Sequence, residues 1–267
     1  MATSIYKPSP ELIPYIEAYV ISYAAPSNEP LCLYPSNLPL LCFDLTKQHF
    51  RAVGSEDRFN FLMGMVGVLD HLTYLDKIPK KSIQVFFKPY GAYRLFSTPM
   101  NLFVNQGIDL LTIAPTIKAC LNQLQDHGDE DVESIKILDQ FLTARLKATP
   151  GPNGNFKRIQ FACEAIKNSP STLNIRRLCQ KVGMSETRFR IHFKEKIGIS
   201  PKKFSQIETF QQIKSYLTQH PDINWMDLVV NHSFYDQTHF IKNFKWFFGC
   251  TPSAYLKQGM PLNVNHH

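Results

Sequence analysis

The sequence predicts an α+β chain of two unlike parts: a β-rich sheet or barrel followed by helices over residues 1–148, and an all-α domain over residues 156–258. Three observations predict it. Short runs rich in aromatic and β-branched residues crowd the first third of the chain, helical periodicity replaces them after Pro99, and an imperfect internal repeat occupies residues 173–204 and 224–256.

The early runs are Tyr19 to Tyr23, Leu40 to Leu45, Phe61 to Met65 and Ile83 to Phe87, parted by Pro, Gly, Asn or Asp. They are too short for helices and have the composition of strands. Beyond Pro99, Ile117, Leu121 and Leu124 share a helical face, as do Val132, Ile135, Leu138, Leu142 and Leu146 on a longer helix opened by acidic residues. The turn-rich segment Thr149-Pro150-Gly151-Pro152-Asn153-Gly154-Asn155 then marks a linker, 149–155. Two domains of about 150 and 110 residues are each large enough for a core of their own. A short tail, 259–267, follows the second.

The repeat is one unit used twice. Phe189, Phe193, Gly198, Pro201 and Phe204 stand 51 residues before Phe240, Phe244, Gly249, Pro252 and Tyr255. Leu178 and Gly183 precede Leu228 and Ser233 by 50, so the second copy has one extra residue in its turn. In the first copy Ile175, Leu178 and Val182 line a short helix that ends at Gly183, the residue best suited to a left-handed cap. Ser185, and Asp236 in the second copy, can accept a hydrogen bond from an unpaired amide and so start the next helix abruptly. Phe189, Phe193 and Ile197 face inward, leaving Thr187, Arg190, Ile191 and Lys194 outside; Phe240, Phe244 and Phe247 face inward, leaving Thr238, Ile241, Lys242 and Lys245 outside. A single such helix-turn-helix is common in helical proteins of many functions. Two copies with caps in register, each with a basic ridge of a width that suits a major groove, point to nucleic acid.

Charge agrees. Residues 151–267 hold 16 Lys or Arg against 7 Asp or Glu, whereas residues 1–150 hold 13 against 15. The overall excess of +7 therefore belongs to the repeat-bearing half, where it would attract a polyanion and make binding salt-dependent.

From Phe156 to Lys257 the chain resembles the DNA-binding domain of the AraC/XylS family of bacterial transcription regulators. The diagnostic run is Ser233-Phe234-Tyr235-Asp236-Gln237-Thr238-His239-Phe240-Ile241-Lys242-Asn243-Phe244-Lys245, followed by Phe248-Gly249-Cys250-Thr251-Pro252-Ser253-Ala254-Tyr255. The resemblance implies seven helices containing two helix-turn-helix units, near 155–168, 173–182, 185–197, 200–219, 224–231, 236–248 and 251–258. The fourth would connect the two units and hold their recognition helices in adjacent grooves, about 34 Å apart. It implies base contacts from Thr187, Arg190 and Ile191 in the first unit and from Thr238, Ile241 and Lys242 in the second. Arg188, Lys194, Gln237, His239 and Lys245 would flank these against phosphates. The chain departs from the family pattern at Cys179 and Val229, at Ser233 in place of glycine, and at Thr209 and Ile213 in the connecting helix. The stretch Phe87-Lys88-Pro89-Tyr90-Gly91-Ala92-Tyr93-Arg94-Leu95-Phe96 resembles, less closely, a segment of the sensory halves of some AraC-type regulators, and names no ligand.

The expectation is a sequence-specific, double-stranded-DNA-binding regulator, with RNA polymerase a further candidate partner. Its N-terminal domain would sense a small effector, dimerise, or both, with Val132, Ile135, Leu138 and Leu142 as a candidate dimer seam. One alternative is a regulator without ligand that acts only through protein contacts. A DNA-targeted enzyme is disfavoured: His49, His71 and His127 are isolated, and no two of Cys32, Cys42, Cys120, Cys163, Cys179 and Cys250 have the spacing of a zinc knuckle. No phosphate loop or nucleophile elbow is visible, so no cofactor, metal or catalytic residue is expected. The N-terminal residues Met1 to Pro8 lack the apolar core of a signal peptide. No window approaches about 18 uninterrupted apolar residues, so a cytoplasmic protein with no membrane span and with free thiols is expected.

Overall fold

The computed structural model describes residues 2–24, 30–46, 51–52, 62–77, 79–127, 130–220 and 237–258. The N-terminal part is built on two antiparallel sheets. Strands β1 (Ala2–Tyr6), β2 (Ile16–Tyr23), β4 (Leu40–Asp44), β6 (Met63–Val66), β8 (Lys81–Phe87) and β9 (Gly107–Asp109) form a six-stranded sheet in the order β1-β2-β8-β4-β6-β9. Strands β3 (Leu31–Leu33), β5 (Arg51–Ala52) and β7 (Thr73–Lys77) form the second sheet, in the order β3-β7-β5.

Both faces of the larger sheet are covered, which is why its strands read as nearly unbroken apolar runs. In β4 the two-residue period sends Leu41 and Phe43 into the main core with Ile83 and Val85, while Leu40 and Cys42 join Leu31, Val66, Leu69 and Leu75 on the opposite side. The expected strands are all present within the described residues; Phe61 lies outside them. Strands β1, β3, β5, β7 and β9 have no clear sequence counterpart, because they are short or carry mixed polarity.

Helices α1 (Gly91–Phe96), α2 (Leu110–Ile113), α3 (Ile117–Asp126) and α4 (Asp131–Ala148) close the main core. Helix α4 corrects the dimer-seam expectation. Ile135, Leu138 and Leu142 are buried in the chain's own core together with Ile137, and of the four expected seam residues only Val132 is exposed. Polar bonds hold the helix there. Tyr19 and the Ser9 amide donate to Asp139 at 2.8 and 2.9 Å, and Lys81 pairs with Asp131 at 2.8 Å. An amphipathic helix beside an uncovered sheet buries its stripe locally before any second chain can use it.

The C-terminal part comprises α5 (Gly154–Asn168), α6 (Ile175–Val182), α7 (Glu186–Ile197), α8 (Pro201–Gln219), α9 (Gln237–Phe248) and α10 (Pro252–Gln258). Their bounds agree with the expected helices to within two residues. The helix expected near 224–231, with Leu228, Val229 and Ser233, and the cap Asp236 lie outside the described residues. Pro152 and Gly151 sit in the connection, and Asn153 caps α5 by accepting from the Phe156 amide at 2.9 Å.

The two parts do not keep separate cores. Val68 and Tyr90 from the N-terminal part are buried inside the cluster formed by α5 to α8, and Tyr34 is buried inside the cluster formed by α8, α9 and α10. Among the described residues no helix is long and apolar enough to cross a membrane.

Candidate nucleic-acid interface

The first helix-turn-helix unit, one of two candidate DNA readers, is set by its turn. Gly183 adopts φ 62°, ψ 44°, and its amide bonds back to the carbonyls of Cys179 and Gln180, ending α6. Ser185 then accepts from the Arg188 amide and starts α7. Phe189, Phe193 and Ile197 are fully buried, with Phe193 edge-on to Phe204 of α8 at 5.5 Å. That burial fixes the rotation of the helix about its axis and leaves Thr187, Arg188, Arg190, Ile191 and Lys194 exposed on the outer side. Ile191 is 60% exposed, so its apolar surface is open to contact on this side of the helix. Arg190 pairs with Glu186 at 3.6 Å across one helical turn. Such an exposed pair holds the guanidinium by only about 0–1 kcal/mol, so it can be exchanged for a stronger partner.

The second reader has a larger aromatic base. Phe240, Phe244, Phe247 and Phe248 of α9 are buried against Phe210 of α8 and Tyr255 of α10, with Phe244 and Phe248 only 4.2 Å apart. Gln237, Thr238, His239, Lys242 and Lys245 are exposed. Ile241 is half-buried and packs onto this cluster, so it is partly spent on the core, unlike its counterpart Ile191. His239 is also tied down. Gln206 of α8 donates to Asn243 at 2.7 Å, which turns the Asn243 amide nitrogen toward the His239 Nε2 at 3.0 Å.

Helix α8 connects the readers. Its 19 residues span roughly 28 Å at 1.5 Å each. Thr209 and Ile213, which depart from the family pattern, both face inward: Ile213 is fully buried, and Thr209 bonds to the Ser205 carbonyl at 3.0 Å. Neither is available to a phosphate.

Each reader is also gripped by the N-terminal part. At the first, Phe156 is enclosed by Tyr15, Tyr90 and Tyr93, the last stacked at 6.4 Å. Tyr90 donates to Glu164 at 3.0 Å and Tyr93 to Glu195 at 2.8 Å, while the ammonium of buried Lys196 lies over the Tyr93 ring. Burial raises the Glu195 carboxyl, but hydrogen bonds from Lys196, Tyr93 and His192 outweigh it and hold the group below the usual range. At the second, Tyr34 stacks on Phe247 at 5.7 Å, and Trp246 donates to the Asp70 carbonyl at 2.9 Å. Between them, Asn37 donates to the Phe204 carbonyl at 3.0 Å and to Glu208 at 2.8 Å. Tyr34, Asn37, Asp70, Tyr90 and Tyr93 went unmarked in the sequence. Tyr90 and Tyr93 lie in the segment with the weaker family resemblance, and the polar Glu208 and Lys214 on the inward side of α8 were the other available hint.

Among the described residues no group of three or more His, Cys, Asp or Glu could hold a metal ion. The six cysteines are free, and all but Cys250 are buried.

Comparison with known proteins adds the following. Residues 178–258 match a helix-turn-helix domain family, and residues 4–109 match a domain family of unknown function, DUF6597. No curated protein matches the sequence. Similar solved structures include a lysine-to-alanine variant of apo ToxT from Vibrio cholerae, 10% identical, covering 90% of this chain and 97% of that one with a TM-score of 0.47. Unsaturated fatty acid-bound wild-type ToxT from the same organism is 9% identical, covering 93% and 98% with a TM-score of 0.45. The helix-turn-helix match spans α6 through α10, the elements that expose the two basic ridges. Residues 178–258 are thus a helix-turn-helix domain of the AraC type, a DNA-binding domain of transcription regulators.

Proposed function

We propose that the protein reads a promoter sequence by placing α7 and α9 in successive major grooves of double-stranded DNA, while its N-terminal part senses a small effector. The observation that carries the reading is the paired exposure of the outer faces of α7 and α9, each backed by a fully buried aromatic row. Thr187, Arg190 and Ile191, with Thr238, Lys242 and the exposed edge of Ile241, contact bases. Arg188, Lys194, Gln237, His239 and Lys245 contact phosphates. A length of roughly 28 Å for α8 suits two readers separated by about one turn of duplex, 34 Å.

The experiment begins by selecting bound duplexes from random DNA. Arg190→Ala and Lys242→Ala are expected to weaken binding to the selected site by about 1–3 kcal/mol each, with much smaller losses on random duplex. Lys245→Ala weakens both duplexes alike and lowers the slope of log K against log salt by about 0.9. Equal losses on both duplexes for all three variants reject this division of roles.

The effector reading is favoured over a purely protein-contact regulator by a cavity of about 500 Å³ between the N-terminal part and α8.

A further inference from the structure

The cationic excess of the C-terminal part is not shared between the two helix-turn-helix units. Residues 154–199 hold ten Lys or Arg against three Asp or Glu, whereas residues 220–258 hold three against three. Part of the difference lies on the helix that precedes the first reader. Arg176, Arg177 and Lys181 of α6 are all exposed, and among the described residues none of them has a carboxylate within ion-pair distance. At the repeat spacing of 50 their counterparts in the second copy are Met226, Asp227 and Asn231. The three cations therefore serve neither the packing of α6 nor the pattern of the repeat.

Local electrostatics opposes two of them. Asn174 caps α6 by accepting from the Arg177 amide at 2.9 Å, which places Arg176 and Arg177 in the first turn, where the aligned peptide dipoles repel a positive charge. No acidic residue in that turn offsets them. The cations also stand on both sides of α7. Asn155, at the start of α5, has its amide nitrogen 3.3 Å from the His192 Nε2 and accepts from Arg158 at 3.4 Å, so Arg158 lies beside the flank of α7 that carries His192. Cys179 of α6 feels the charges of Glu186 and Arg190, which lie roughly 120–160° round the axis from His192 at 3.6 residues per turn.

We infer that Arg176, Arg177 and Lys181 on one flank of α7, and Arg158 on the other, clasp the phosphates of both strands bordering the groove that α7 enters, and so make the first unit the electrostatic anchor of the protein. The inference rests on the DNA reading proposed above and extends it. A helix that precedes a reader crosses the sugar-phosphate backbone, and α6 meets it with three unpaired cations where the second copy offers none. The second unit then contributes to binding chiefly through the bases it reads, with few phosphate contacts of its own.

The test measures binding of the full chain, by fluorescence anisotropy over a salt series, to the duplex selected from random DNA and to a scrambled duplex of equal length. Arg176→Gln, Arg177→Gln and Lys181→Gln combined are expected to lower the slope of log K against log salt by about 2.7 on both duplexes, and Arg158→Gln by about 0.9 more. The ratio of the two affinities should stay within about twofold of the parent's, because phosphate contacts carry no sequence information. Association at low salt should slow by at least about tenfold. Arg176→Lys with Arg177→Lys keeps the charges and should keep the slope. The thermal midpoint of the triple variant is not expected to fall, since two of the lost charges oppose the α6 dipole, and this separates a lost contact from a lost fold. A loss confined to the selected duplex overturns the inference. So does an unchanged slope, which would leave the face of α6 to an acidic protein partner. Arg190→Ala and Lys242→Ala in the same assay keep the two readings apart: site preference that depends on them beside an unchanged slope in the triple variant rejects the anchor alone, and a lowered slope beside unaltered preference in those two variants rejects the base-reading roles alone.

Discussion

Lys214 shows how far a single side chain's energetics depend on its surroundings. Its pKa in the fold, lowered by burial to about 8, lies below that of an exposed lysine, so the folded state releases this proton first as pH rises. The buried ammonium therefore opposes folding below about pH 8, and the penalty fades between pH 8 and the unfolded value of about 10.4. Lys214→Met is expected to exceed the parent in stability at pH 7 by an amount on the order of 3 kcal/mol, with the advantage vanishing near pH 10. Denaturant unfolding of both proteins across that range checks it; an advantage independent of pH would show that volume rather than charge is responsible. The size of this effect was not legible in the sequence, which hints only that a polar residue stands on the inward side of a long helix. Arg190, by contrast, was placed on the outer side of its helix by Phe189 and Phe193 alone, since their burial dictates where every other side chain of α7 points.

The helix ends carry a second contrast, between glycines whose need is local and one whose need is tertiary. Gly183 has a left-handed backbone, and nothing lies within 4 Å of where a Cβ would stand. Gly183→Ala is expected to cost only the conformational strain, about 1 kcal/mol. Gly198, at φ 103°, closes α7 against the turn Met100–Leu102; a Cβ there meets the Met100 carbonyl at 3.0 Å and a Val104 methyl at 3.1 Å. Gly198→Ala adds that collision to the strain and should destabilise by at least about 2 kcal/mol. Comparable losses for the two variants in chemical unfolding would count against the close approach. Helix boundaries in the first helix-turn-helix unit were readable because cap, periodicity and aromatic spacing agree there, as at Ser185, Phe189 and Phe193. The dimer seam on α4 was misjudged for the complementary reason: periodicity identifies an apolar stripe without saying which surface covers it.

Across the whole molecule, the readers and the sheet share their cores. Tyr34 lies within the aromatic cluster of the second reader, and Tyr90 and Val68 within that of the first. Such sharing predicts one cooperative thermal transition for the full chain, with calorimetric and van't Hoff enthalpies equal, in place of two transitions from independent domains. Tyr34→Ala, which empties a stacked position against Phe247 and Phe248, should lower global stability by about 3–5 kcal/mol even though the residue belongs to the sheet-bearing half. Two resolved transitions in the parent protein would mean that the interface is too weak to couple the halves.

Local rules were enough to reveal the repeat, the Ser185 cap, the outward basic ridges and the change from strand to helix, because period, turn chemistry and charge are properties of neighbouring residues. Two aromatic rows at matched spacing can be buried in one way only, and that orientation follows without coordinates. Which surfaces meet is a different matter. That Tyr34, Asn37, Tyr90 and Tyr93 grip the readers, that α4 spends its stripe at home, and that Glu208 and Lys214 are buried beside one cavity all depend on contacts between residues more than 70 positions apart in most cases. Such contacts form only when the assembled surfaces compete for burial, and no periodicity along the chain records the outcome.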